Sequence, residues 1–117
     1  MKYIKIINKK NQAIIGDKIG YANNPLSRFI GLMNRKELQE NEGLLLTPCN
    51  SIHMFFMKIP LDVVFIDRKD KIVKTIENIK PWKISPVVFK AQSVLELPVG
   101  HIKKYDLQEN DNLELVF

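Results

Sequence analysis

The chain has 117 residues, enough for one domain with its own core and too few for two comfortable ones, and its 45% apolar content argues against extended disorder. Eighteen basic and thirteen acidic side chains leave a formal charge of +5, but that charge is dispersed. With no arginine-rich tract, zinc-finger spacing or RNA-binding aromatic motif, the composition argues against specific nucleic-acid recognition.

Residues 2–7, KYIKII, alternate as a strand does; NKKNQ supplies a turn and residues 13–15 begin the return, so a hairpin is predicted that Gly16, Asp17 and Gly20 interrupt. Asn24 before Pro25 is a favourable cap and first helical position, and Leu26, Phe29, Ile30 and Met33 make one apolar stripe. Gly31 weakens a long helix, so the expectation is one short helix or a broken one, with a second helical turn near Lys36 to Gln39. From Gly43 onward β character dominates. GLLLT reads as a core strand, and IHMFFM (residues 52–57) reads as another after Pro48 and Asn50. LDVVFID (61–67) and IVKTIENI, joined by the charged turn Arg68 to Lys71, read as a hairpin. Pro81 and Pro86 bracket Trp82 in a surface loop. Val87 to Phe89 suggest a short strand, AQSVLELPV a clearer one, HIKKYDL a helical turn, and LELVF a terminal strand. No repeat or low-complexity linker divides this map. The expectation is a mainly β single domain over residues 1–117, a compact β-sandwich or barrel-like fold with one principal short helix or broken helical segment.

No stretch is apolar for long enough to cross a bilayer as a helix, and the alternating start does not resemble a secretory signal. One cysteine forms no internal disulfide, so the expected location is the cytoplasm.

Chemistry concentrates in the segment from Gly43 to Pro60, which holds Cys49 and His53 within strongly apolar sequence. A histidine can help generate a thiolate, but a cysteine-based hydrolase also needs an orienting acid, for which only Asp62 and Asp67 are at hand. Cys49, His53, Asp62 and His101 form a mixed donor set without metal-site spacing, so no metal and no cofactor are assigned. Asp62 and Glu96 sit in apolar strands, where a carboxylate needs a donor. Arg28 and Arg35 are the natural partners, and the four residues are read as a structural polar network. Asp62 with Glu96 would support acid-base hydrolysis only at a suitable separation. Met33, Met54, Met57, Phe29, Phe55 and Phe56 are expected to join helix and sheet in the core. Trp82, between Lys80 and Lys83, is an exposed-contact candidate.

Across residues 28–115 the chain resembles the uncharacterised bacterial and archaeal family numbered 192 among domains of unknown function. Gly31, Leu32, Met33 and Arg35 match its GLM-x-R element, and Leu44 to Leu46 its apolar strand. His53, Phe55, Phe56 and Met57 match an aromatic-methionine segment, Pro60 to Asp67 a PLD-x-x-F-x-D element, and Leu95, Glu96, Leu97, Pro98 and Gly100 a late LEL-P-x-G element. Many relatives begin the aromatic segment with Trp-Met, where this chain carries Pro-Cys-Asn-x-Ile-His, and many carry Gly-Asp where it has Asn110 and Asp111. The resemblance implies a compact β-sandwich or barrel-like domain with a small helical part, and no particular activity. The functional expectation is therefore a non-catalytic small-ligand binding or accessory domain, with His53, Asp62, Trp82 and Glu96 as ligand-binding candidates. A small cysteine- or carboxylate-dependent hydrolase and a protein-interaction module using a β edge or the Trp82 loop are the alternatives.

Overall fold

The alternating N-terminus folds as the predicted hairpin in the computed structural model, which describes residues 1–117. Strand β1 (Tyr3–Asn8) pairs antiparallel with β2 (Ala13–Ala22), which runs on through Gly16 and Gly20 instead of breaking there. A Cβ at Gly16 would lie 2.6 Å from Ile19 and 2.9 Å from the Asn41 carbonyl, so this glycine admits a close neighbour within the strand. After helix α1 (Pro25–Ile30), β3 (Glu42–Leu46) returns parallel to β2. The hairpin of β4 (Leu61–Ile66) and β5 (Ile72–Ile79) follows, then β6 (Ser93–Leu97), the short helix α2 (His101–Lys104) and β7 (Leu113–Val116).

All seven strands form one sheet in the order β5-β4-β6-β3-β2-β1-β7, antiparallel except at β2–β3. The sheet curls until its two edges meet at one end. There Lys71 bridges Asn112, the Ile72 N–H donates to the Asp111 carbonyl (2.9 Å), and the Leu113 N–H donates to the Asp70 carbonyl (2.8 Å). The result is a mainly β, half-barrel architecture with two short helices.

Curling divides the core in two. Ile4, Ile6, Ile15, Ile19, Val64 and Leu95 fill the concave side, which Ile102 of α2 and Leu107 close. On the convex side Leu44, Leu46, Val63, Phe65 and Val94 are covered by Leu32, Ile52, Met54 and Met57. Strands β3, β4 and β6 are thus buried on both faces, which is why their sequences read as nearly unbroken apolar runs.

Three predicted elements are absent. Residues 36–39 form no helical turn, because the chain leaves α1 through Gly31 at φ +50° and the Gln39 N–H donates to the Glu42 carboxylate (2.8 Å). Segments 52–57 and 87–89 are not strands. They belong to two loops that pair with each other by scattered bonds: Cys49 N–H to the Gln92 carbonyl, Ile52 carbonyl from the Ser85 N–H, Met54 N–H to the Lys83 carbonyl, and Met54 carbonyl from the Trp82 N–H. Prolines 48, 60, 81 and 86 and the left-handed backbones of Phe56 and Trp82 interrupt any regular ladder.

Candidate functional site

The zipped loops and α1 roof the convex face and leave a cavity of about 290 Å³ between them. Its floor is Glu96. Cross-strand pairing sets Glu96 opposite Leu44 on one side and Val63 on the other, so its side chain points outward from the barrel. Arg28, Phe29, Met33, Cys49, Ser51, His53 and Met57 line the walls.

Glu96 is only 5% exposed, and its carboxyl faces the cavity, where its oxygens keep contact with solvent and desolvation is the one influence on its charge. Burial without a partner pushes its pKa up to about 7. Near neutrality this group can accept a hydrogen bond as a carboxylate or donate one as an acid.

Arg28 reaches the cavity from α1, which Asn24 caps by accepting the Ser27 N–H (2.9 Å) with Pro25 at the first helical position. Its guanidinium donates to the Pro48 carbonyl (2.6 Å) and the Asn24 carbonyl (3.4 Å), which ties the helix to the roof. Arg35 pairs with Glu42 (2.7 Å) at the edge of β3. Neither arginine meets Asp62 or Glu96, so the four-residue network read from the sequence is not the arrangement found. The partner of Arg35 was missed because Glu42 opens a strand and looks like an ordinary turn residue.

Asp62 lies on the concave side, paired across the sheet with Leu97. Its two oxygens accept from the backbone N–H groups of Asn78 (2.9 Å), Gly100 (3.0 Å) and Ile102 (3.0 Å), so it anchors the start of α2 to β4 and β5. Asp62 and Glu96 therefore occupy opposite faces and do not flank a common bond. The mixed donor set read for a metal divides in the same way. Cys49 and His53 stand at the cavity, whereas Asp62 lies inside the barrel and His101 is buried on α2 with its Nε2–H donating to the Glu40 carbonyl (2.7 Å). No three His, Cys, Asp or Glu side chains cluster as a metal site would require.

Burial pushes the Cys49 thiol up, and the thiol donates to the Ser51 carbonyl (3.1 Å). Burial, the larger effect, favours the thiol over the thiolate a nucleophile requires. His53 is exposed, its Nδ1 accepts the Phe55 N–H (3.3 Å), and its ring stacks on Phe55 at 4.9 Å, leaving Nε2 open. Trp82 does not line the cavity. It stands beyond Phe55, 5.9 Å away, and against Phe56 at 4.9 Å. Of the four ligand candidates, the fold brings Glu96 and His53 to one cavity, sets Trp82 beside it and sends Asp62 to the other face. Of the residues expected in the core, Met54 and Met57 are buried, Met33 and Phe55 half-buried, and Phe29 and Phe56 exposed, because those two stand at the open side of the cavity and at a loop tip.

Comparison with known proteins places this geometry in a wider set. The fold superposes on a solved Novosphingobium aromaticivorans protein of unknown function with a TM-score of 0.82 at 21% identity, covering 95% of this chain and 82% of that one. It also superposes on a Sinorhizobium meliloti protein described as a candidate transcription regulator, with a TM-score of 0.79 at 25% identity, covering 96% and 91%. In sequence the chain is 34% identical over 110 residues to a UPF0127 protein of Thermococcus kodakarensis, covering 91% of this chain and 69% of that one. A UPF0127 protein of Pyrococcus abyssi is 30% identical over 119 residues, covering 95% and 97%. The model of the DUF192 family, described as "Uncharacterized ACR", matches residues 5–115, and the chain belongs to that family.

Proposed function

We propose that this chain is a non-catalytic binding domain that takes a compact, mostly apolar molecule with one hydrogen-bond-donating head, an alcohol or an amine, into the cavity above Glu96. One observation carries this reading: the carboxyl of a residue only 5% exposed faces a mainly apolar cavity whose lining also includes Arg28, Ser51 and His53, and no protein group is bonded to it. A ligand donor would supply the missing bond, while Met33, Met57 and Phe29 receive the apolar body. The protonated, backbone-bonded Cys49 supports binding over thiol catalysis. A single free cysteine and no helix long and apolar enough to cross a membrane support the cytoplasm as its place of action.

The test is amide NMR titration with benzyl alcohol and benzylamine. Saturable shifts are expected around Glu96, Met57 and Met33, with affinity rising as pH passes through about 7 and Glu96 ionises. Glu96→Gln should weaken binding about tenfold, as loss of a hydrogen bond to a charged acceptor does. Unchanged affinity in Glu96→Gln, or shifts scattered away from the cavity, would sink the proposal.

A further inference from the structure

The cavity mouth continues into an exposed apolar ridge. Phe29 (64% exposed) stands on α1, Phe56 (62%) and Trp82 (59%) at the tips of the zipped loops, and Ile84 (66%) beside them through its bridge to His53. Scattered exposed apolar side chains are ordinary on a protein surface, whereas contiguous ones mark contact sites. Here they are contiguous: ring follows ring from Phe29 to His53 (6.4 Å), His53 to Phe55 (4.9 Å), Phe55 to Trp82 (5.9 Å) and Trp82 to Phe56 (4.9 Å). Phe56 and Trp82 hold φ at +63° and +71°, a backbone region costly for bulky residues, and neither side chain gains burial in return.

The segments that build the ridge carry charge of one sign. The three segments that build it, residues 18–36, 43–61 and 78–95, contain no aspartate or glutamate. Lys58, Lys80, Lys83 and Lys90 are all exposed there. These segments therefore bring cations and no acid to the apolar face, while the acids lie on other segments, with Asp62 inside the barrel and Glu96 at the bottom of the cavity.

We infer that this face docks peripherally on an anionic lipid bilayer, with Phe56, Trp82 and Ile84 entering the interface and the four lysines resting against lipid phosphates. Protruding aromatic and aliphatic tips flanked by lysine suit the boundary between headgroups and acyl chains, where tryptophan is favoured and basic residues meet a negative surface potential. Single-stranded nucleic acid would use the aromatic rings and the cations, but it has no use for Ile84 or for the exposed Leu26 and Ile30 of α1, which offer no face for a base. The inference rests on the ridge and its charge, independently of the cavity ligand.

Trp82 is the only tryptophan, so its emission reports contact directly. The full chain is mixed with vesicles of phosphatidylcholine alone and of phosphatidylcholine with phosphatidylglycerol. Cosedimentation with the anionic vesicles only is expected, with a blue shift of Trp82 emission and quenching by brominated acyl chains. Lys80→Gln with Lys83→Gln should lower the partition coefficient about thirtyfold, at ~1 kcal/mol per lysine. Phe56→Ser with Ile84→Ser should weaken binding and reduce the emission shift while the melting temperature stays unchanged, since both side chains are exposed. No cosedimentation, or cosedimentation without a shift or quenching, would overturn the inference. So would an emission response to single-stranded oligonucleotide with none to vesicles, or a concentration-dependent dimer that hides Trp82. Benzyl alcohol binding should persist in the lysine variants, so failure at the bilayer leaves the cavity reading intact.

Discussion

Glu96 makes the fold less stable as the solution becomes more alkaline. Its ordinary value of 4.5 is raised to about 7 in the folded state. Below 4.5 both states hold the proton and Glu96 contributes nothing to the balance. Between 4.5 and 7 the unfolded chain loses it while the folded one keeps it, so stability falls with rising pH and levels off above 7, by about 3 kcal/mol at most. Glu96→Gln should flatten that slope and raise the melting temperature by several degrees at pH 8, as thermal scans across pH would record; an unchanged slope would mean that the carboxyl finds a partner in solution. Asp62, unlike Glu96, is a satisfied acceptor. Asp62→Ala strands three backbone donors and should cost about 3 kcal/mol in urea unfolding, with faster amide exchange at Gly100 and Ile102. The sequence marks both carboxylates as unusual because each interrupts an apolar strand. It does not say which way they point: with Val63 beside Glu96 and Leu97 beside Asp62, one step of register sends one acid into the barrel and the other out.

Among the elements, the strands were legible wherever burial on both faces left an apolar run with clear boundaries, as in β4 and β6, and where alternation was clean, as in β1. The cap and first turn of α1 were legible from Asn24 and Pro25 alone. The roof was not, since segments 52–57 and 84–89 have strand-like composition but spend their backbone bonds on each other across proline-interrupted loops. Gly43 was also silent in the sequence. A Cβ there would lie 2.6 Å from the Glu96 carbonyl, which cannot move without parting β3 from β6. Gly43→Ala is therefore expected to destabilise by about 2 kcal/mol or more and to disturb the cavity floor, seen together as a lower urea midpoint and altered Glu96 shifts. A variant with wild-type stability would show that the two strands have slack.

At the scale of the whole molecule, closure depends on a small seam. Asp111 accepts from the side chains of Asn8 (3.2 Å) and Lys10 (2.9 Å) and from the Gln108 N–H (2.9 Å), pinning the β1 turn to the chain just before β7, where the sheet edges meet. The contacts from Asn8 and Lys10 join residues about a hundred positions apart, and no local pattern in the sequence announces them. Asp111→Ala should cost about 2 kcal/mol and speed amide exchange at Ile72 and Asn110, leaving β3, β4 and β6 the slowest to exchange. Equal acceleration throughout would mean that the seam and the centre open as one unit. Those central strands also carry a consequence for how the protein can change. Because the concave cluster and the Asp62 anchor hold the sheet from within, the exposed positions of the convex roof can change without removing the framework, provided Leu32, Ile52, Met54 and Met57 keep the convex face covered. The domain is thus a natural chassis on which one family can mount different cavities, and a laboratory can exchange loops.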